Sequence, residues 1–187
     1  MRATASVGQL LSEETYLENV AQQIAIPVAS VHLAFRSTVC LMMVCLHQKL
    51  QTTIGKRLVY QTLDKQIQQS ESYRPEETER SVELLSLEGN SLLGKLLPGK
   101  KSPIMTSVIH HTRLPYKQVN QLIGLSAYAL ITRMASHWQQ HNELTSVLLS
   151  FKELSQVAPE LDEKDYMAIG LHDNLSVFKT VPAYISI

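Results

Sequence analysis

Residues 27–50 read PVASVHLAFRSTVCLMMVCLHQKL and carry the strongest fold signal in the chain. Apolar side chains recur there every three or four residues, which is the spacing of one face of an α-helix. Pro27 stands at the first turn, where its missing N–H costs no hydrogen bond. The pattern therefore predicts a long core helix whose buried face comprises Val31, Phe35, Val39, Met42, Leu46 and Leu50.

The apolar centre of this helix, residues 39–46, is too short to cross a membrane. It holds eight residues, whereas a bilayer crossing needs roughly 20. Cys40 and Cys45 are the two cysteines of the chain, and their spacing turns them to different sides of a helix. We expect buried, reduced thiols, no membrane span and a cytoplasmic protein, since residues 1–14 also lack the continuous apolar stretch of a secretory signal.

The composition favours a globular all-α protein. The chain has 187 residues, 44% of them hydrophobic and 18% charged, with seven glycines and seven prolines. These proportions exclude the collagen-like, disordered and multi-span membrane classes. Because the length suits one large helical domain, we predict a single domain over residues 1–187.

Further helices are predicted on both sides of the core helix. Residues 12–25 begin with Ser12, a capping residue followed by two glutamates, and continue with an amphipathic face. Residues 54–67 have a similar amphipathic pattern. The polar residues 68–80 then form a connector, which leads into a short helix through Leu87.

The second half of the chain repeats this plan. Residues 115–138 read PYKQVNQLIGLSAYALITRMASHW and keep the apolar register of residues 27–50 at an offset of 88 residues. We therefore predict a multihelical bundle of two similar helix-turn-helix-like halves, residues 12–67 and 89–155, around a shared core. The last helix of the second half covers residues 142–155.

Two segments resemble a known family. Residues 11–35, LSEETYLENVAQQIAIPVASVHLAF, and residues 88–138, which begin EGNSLLGKLLPGKK, resemble the two halves of the bacterial domain-of-unknown-function family 937. The YidB-like helical proteins belong to that family. The sequence departs from its pattern at Leu97-Pro98, where Phe-Gly is usual, and at Arg113, where a turn glycine is common. The resemblance implies a multihelical fold and supplies no catalytic residues.

Charge is distributed unevenly along a chain whose formal net charge is +0. Six of the 17 basic residues and none of the 17 acidic ones lie within residues 89–142, which leaves 11 basic and 17 acidic residues elsewhere. A binding surface for an anion or a partner is therefore predicted in this basic segment, and its residues are Lys100, Lys101, Arg113 and Lys117. In the alternative, the segment docks internally against acidic residues such as Glu76, Glu77, Glu79 and Glu83.

Two functions are compatible with this charge pattern. We favour a non-catalytic structural or interaction module, which binds a protein partner or a second copy of itself. The alternative is a nucleic-acid-binding protein that uses the Arg113 turn and the helix starting at Pro115. Six charges over so long a segment make a thin footprint for a polyanion, because affinity scales with the number of phosphates neutralised.

Few patterns indicate catalysis or metal binding. His137 and His141 share a helix face, but their segment offers no carboxylate or cysteine as a third ligand. Gly89 is predicted to end a helix as a left-handed cap, and Gly94 to permit close packing, because the phosphate-loop pattern around them is incomplete. Residues 76–83 and 160–165 are predicted to be solvated acidic helix starts. A short helix is predicted from 159 to 169, and we predict no metal, cofactor or catalytic residue.

Overall fold

The protein is an all-α bundle in the computed structural model, which describes residues 14–71, 81–142, 144 and 158–171. The described residues contain no strand, which confirms the predicted fold class. They form seven helices, which are α1 Glu14–Ile24, α2 Val28–Leu50, α3 Thr53–Glu71, α4 Val82–Leu96, α5 Lys101–Thr112, α6 Tyr116–His141 and α7 Glu163–Ala168.

The predicted core helix is α2. Pro27 lies just before it as the N-cap with an extended backbone, and all six residues of the predicted face are buried. Cys40 and Cys45 are buried within it, and neither forms a disulfide. Among the described residues, α2 is the one helix long and apolar enough to cross a membrane by length and composition. Its most apolar window is 67% buried inside the protein, which is the environment of a core helix.

The long helices α4 and α6 pack backbone against backbone. A Cβ atom added to Gly89 would overlap the carbonyl oxygen of Gly124, and one added to Gly124 would overlap the carbonyl oxygen of Ser86. Asn90 reinforces the contact, since its Nδ2 donates to the carbonyl oxygen of Asn120 at 3.1 Å. Glycine is therefore required at the crossing because any side chain would force the two helices apart.

The predicted roles of two glycines are wrong. Gly89 lies inside α4, so it does not cap a helix, and the predicted start of the second half falls within a continuous helix. Gly94 was expected to permit close packing, but it is exposed and a Cβ there would meet nothing within 4 Å. Spacing alone cannot show which glycine of a helix faces a neighbouring backbone.

Several helix boundaries differ from the predictions. Residues 68–71, the start of the predicted connector, continue α3, and residues 72–80 lie outside the described part. The predicted helix over 142–155 also lies outside it, apart from two positions. Of these, Asn142 has a left-handed backbone and ends α6. Ser12 and the tail beyond Leu171 are likewise not described.

The turns that precede the two longest helices have the same geometry. Ala25 and Arg113 both adopt the left-handed region, with φ of 52° and 58°. Pro27 and Pro115 then stand as N-caps with ψ of 136° and 147°. The offset of 88 residues thus holds for the helix ends at both turns as well as for the apolar spacing. A common origin of the two halves stays a prediction.

Candidate functional site

The four cations of the predicted binding surface lie at two separate places. Lys100 and Lys101 stand at the start of α5, whereas Arg113 and Lys117 stand beyond its end. A helix of 12 residues is about 18 Å long. The structure therefore does not bring all four side chains to one site, because α5 holds the two pairs apart.

The side chain of Lys100 forms a hydrogen bond within the protein. Its Nζ donates to the carbonyl oxygen of Ile169 at 2.7 Å, and the residue is half-buried. Its ammonium group thus contacts residues 158–171, and the role of Lys100 in binding an anion or a partner stays a prediction. Lys101, the next residue, is also half-buried.

Arg113, Tyr116 and Lys117 form an exposed group at the turn between α5 and α6, which we call the turn surface. Tyr116 is 65% exposed, and both cations are exposed as well. The first turn of α6 contains no acidic residue, so its backbone N–H groups and the two cations all favour negative charge. Gln118 Nε2 donates to the carbonyl oxygen of Ile24 at 3.4 Å, which holds this turn against the end of α1.

A second site is formed by residues 158–171, which we call the strap. Asp162 caps α7 with a capping box in which the Asp165 side chain also takes part. The side chains of Ala158, Leu161, Tyr166, Ile169 and Leu171 are buried. The strap lies across α2 and α5, and carboxylates on it contact polar side chains on both helices.

Glu160 joins the strap to α2. Its Oε1 accepts hydrogen bonds from Arg36 Nε at 3.0 Å and from Ser37 Oγ at 2.7 Å. The Glu160 side chain is only 14% exposed. Its other oxygen, Oε2, is buried and has no hydrogen-bond partner among the described residues. One oxygen of the Glu160 carboxylate thus accepts two hydrogen bonds, and the other accepts none from the described residues.

Asp165 joins the strap to α5. Its Oδ1 accepts from Ser107 Oγ at 2.6 Å, and its Oδ2 lies 2.9 Å from His111 Nε2. The Oδ2 atom also accepts from the backbone N–H of Asp162 at 2.9 Å. Burial raises the pKa of the Asp165 carboxyl, but these hydrogen bonds and the His111 charge outweigh burial and leave the pKa below its usual value.

These contacts correct the prediction for residues 160–165. Glu160 and Asp165 face the bundle as half-buried acceptors, whereas Asp162 and Glu163 are exposed as expected of a helix start. Of the acidic residues predicted to cover the basic segment, Glu83 is exposed, and Glu76, Glu77 and Glu79 lie outside the described residues. His111 and Lys100 are instead held by the strap.

Ser107, Asp165 and His111 are the residue types of a catalytic triad, but their order is different. In a triad the histidine stands between the nucleophile and the carboxylate. Here the carboxylate stands between the other two, and no hydrogen bond joins Ser107 to His111 in the described part of the chain. Because Ser107 is buried and already donates to Asp165, the arrangement serves to dock the strap.

Two further contacts hold the strap on α2. Cys40 Sγ lies 3.6 Å from the Tyr166 hydroxyl, and Gln48 Nε2 donates to the carbonyl oxygen of Gly170 at 3.3 Å. Burial raises the pKa of the Cys40 thiol to about 11, and burial likewise raises that of Cys45 to about 11. Both thiols are therefore protonated and unreactive at neutral pH.

Two other features are weaker candidates for a site. The rings of His137 and His141 lie 4.4 Å apart, but no group of three metal-ligating side chains occurs in the described residues. A groove of about 330 Å³ runs along α6 from Tyr128 to Ser136, with Tyr16 and Leu85 on its other walls. The walls of this groove come from three segments that are distant in sequence, so apolar spacing does not predict it.

Comparison with known proteins gives no assignment, because no protein-family model, no curated protein and no solved structure matches the chain. The resemblance to family 937 therefore stays a prediction.

Proposed function

We propose that the protein is a non-catalytic interaction module that binds a protein partner through the turn surface. The observation that carries this proposal is the exposure of Tyr116 between two exposed cations, Arg113 and Lys117. Tyrosine and arginine are enriched in protein interfaces, where a tyrosine ring contributes contact area and a hydroxyl group. The absence of acidic side chains from the first turn of α6 favours a partner with an acidic surface.

The partner is another protein or a second copy of this chain. The residues outside the basic segment carry an excess of acidic groups, so a second copy could supply the complementary charge. We further propose that the protein is cytoplasmic and related to family 937, as its sequence resemblance and its thiols suggest.

Loss of the turn surface tests the proposal. Arg113→Asn and Lys117→Gln remove both charges, and asparagine tolerates the left-handed backbone at position 113. Cross-linking and mass spectrometry of the tagged protein would identify partners bound by the wild type and lost in the variant. Lys95→Gln is the control, since Lys95 is an exposed cation on α4. Retention of every partner by the double variant would refute the assignment.

A nucleic-acid-binding function is the second candidate, and the exposed cations at the α5–α6 turn favour it. Only Arg113 and Lys117 of the four predicted cations stand together at that turn. If these two cations contact two phosphates, the affinity for DNA would fall only about twelvefold as the salt concentration rises from 50 to 200 mM. The reason is that the logarithm of the affinity falls against the logarithm of the salt concentration with a slope of about −0.9 per phosphate contact. Anisotropy measurements with a labelled DNA duplex distinguish the two functions. Tight binding that falls steeply with salt would support nucleic acid over protein.

A further inference from the structure

We propose that the groove between α2 and α5 is a binding site for a short acidic amphipathic helix of a partner protein, and that the strap occupies this groove as a displaceable ligand of the same chain. The proposal goes beyond the turn surface and shares no residue with it. It is carried by the contacts of the strap itself, which show what chemistry the groove accepts.

The groove has two groups of hydrogen-bond donors that bind carboxylates, one on α2 and one on α5, and we call each group a receptor. Arg36 and Ser37 of α2 hold Glu160, and the second receptor is formed on α5 by Ser107 and His111, which hold Asp165. Each receptor combines a hydroxyl group with a nitrogen that carries or can accept a proton. Hydrogen bonds to a charged acceptor are stronger than neutral ones, so both receptors select carboxylates over amides.

Between and after the carboxylates the groove accepts apolar side chains. Leu161, Tyr166 and Ile169 of the strap are 9%, 7% and 0% exposed. An amphipathic helix that lays such a face into a groove is a common mode of peptide recognition. The ligand class is therefore a short segment that carries one carboxylate just before a helix and a second on the helix five residues later, with apolar side chains between and after them.

The strap has the properties of a ligand that can be displaced. Its helix, Glu163–Ala168, has 6 residues, far fewer than the roughly 12 that an isolated helix needs for stability in water. Its apolar side chains join the core, but the strap is held to α2 and α5 by two carboxylates as well, and Glu160 Oε2 is buried without a hydrogen-bond partner among the described residues. A partner helix would place its own carboxylate in the position of Glu160. If the partner also supplied a hydrogen-bond donor to the second oxygen of that carboxylate, it would bind better than the strap and compete with it.

Cys40 is a natural reporter of strap opening. Its Sγ contacts the Tyr166 hydroxyl, and the residue is 2% exposed while the strap occupies the groove. Displacement of the strap removes that contact and uncovers the thiol. In a Cys45→Ala variant, the rate at which a thiol reagent labels Cys40 therefore measures how often the groove is vacated.

Peptide binding to the full chain tests the proposal. The probe is a fluorescein-labelled peptide of residues 158–171, APELDEKDYMAIGL, and the readout is its anisotropy. We expect the chain with Glu160→Gln and Asp165→Asn to bind this peptide at least tenfold more tightly than the wild type, whose groove is occupied. Lys164→Gln is the control, because Lys164 lies on the strap and is exposed. A peptide in which both carboxylates are replaced by amides should bind at least tenfold more weakly.

Three results would overturn the proposal. The first is equal binding of the acidic and the amide peptides, which would show that the groove does not select carboxylates. The second is labelling of Cys40 at the rate of global unfolding, a test that remains valid if the double variant fails to fold. The third is a concentration-dependent dimer of the wild type by light scattering, which would make a second copy the occupant. Loss of partners at the turn surface is measured separately and leaves these results unaffected.

Discussion

Asp165→Asn should destabilise the protein more than its position on a short helix suggests. The carboxylate accepts hydrogen bonds from Ser107 and His111, and hydrogen bonds to charged groups contribute about 1.5–3 kcal/mol each. Asparagine keeps one acceptor oxygen, so a neutral form of one bond survives. We expect a loss of about 2–3 kcal/mol at pH 7, which lowers Tm by about 4–12 °C in a chain of this size.

The loss should depend on pH with a defined sign. The pKa of Asp165 in the folded protein lies below its usual value of 3.8. The carboxylate therefore stabilises the fold above that value, and its contribution is lost as pH falls through the folded pKa. Urea unfolding should show the full difference between wild type and variant at pH 7 and at pH 5.5. The difference should shrink as the pH falls below about 4.

An exposed carboxylate supplies the control for this measurement. Glu18→Gln removes the same charge from α1, and we expect an effect within about 0.5 kcal/mol. The reasoning fails if Asp165→Asn costs no more than Glu18→Gln at pH 7. It also fails if the cost stays constant down to pH 2.5, because the effect would then come from packing and not from the carboxylate charge.

Three further predictions follow from other parts of the fold. Gly124→Ala should cost about 1–3 kcal/mol by thermal unfolding, because its Cβ would overlap the α4 backbone. Gly94→Ala should be neutral or stabilising by up to about 1 kcal/mol, and equal effects of the two substitutions would disprove the backbone contact. Arg113→Gly should raise the free energy of unfolding by up to about 1 kcal/mol, because φ is 58° at this position and glycine adopts that backbone without strain. A decrease in the free energy of unfolding would contradict the strain argument. Cys40 and Cys45 of the folded protein should react with a thiol reagent at pH 8 about a hundredfold more slowly than in the urea-unfolded chain. Fast reaction of both thiols would refute their burial.

Apolar spacing was sufficient to predict the long helices. The face of α2 follows a helical period, so the six residues of that face were identified without knowledge of any neighbour, but the period did not show that the helix is buried on every side from Ser37 to Leu46. The prolines at 27 and 115 likewise marked the helix starts, because proline is favoured at the entrance of a helix. These signals are local, and local signals are what a single sequence contains.

The contacts that define the sites are not local. Glu160 contacts a residue 124 positions away, and Asp165 contacts residues 58 and 54 positions away. Acidic residues after a proline look the same in sequence whether they face solvent or a neighbouring helix. One signal was present, since Ser107 and His111 are four residues apart and share a helix face. Nothing in the spacing showed that a carboxylate would meet them.

The same contacts change what a net charge of zero means for this protein. The basic segment was expected either to bind a partner or to be neutralised within the fold, and its residues divide between these outcomes. Lys100 and His111 contact the strap, at either end of α5. Arg113 and Lys117 are exposed beyond α5. An acidic partner would therefore meet two exposed cations at the turn, and would gain the other two groups only by displacing the strap.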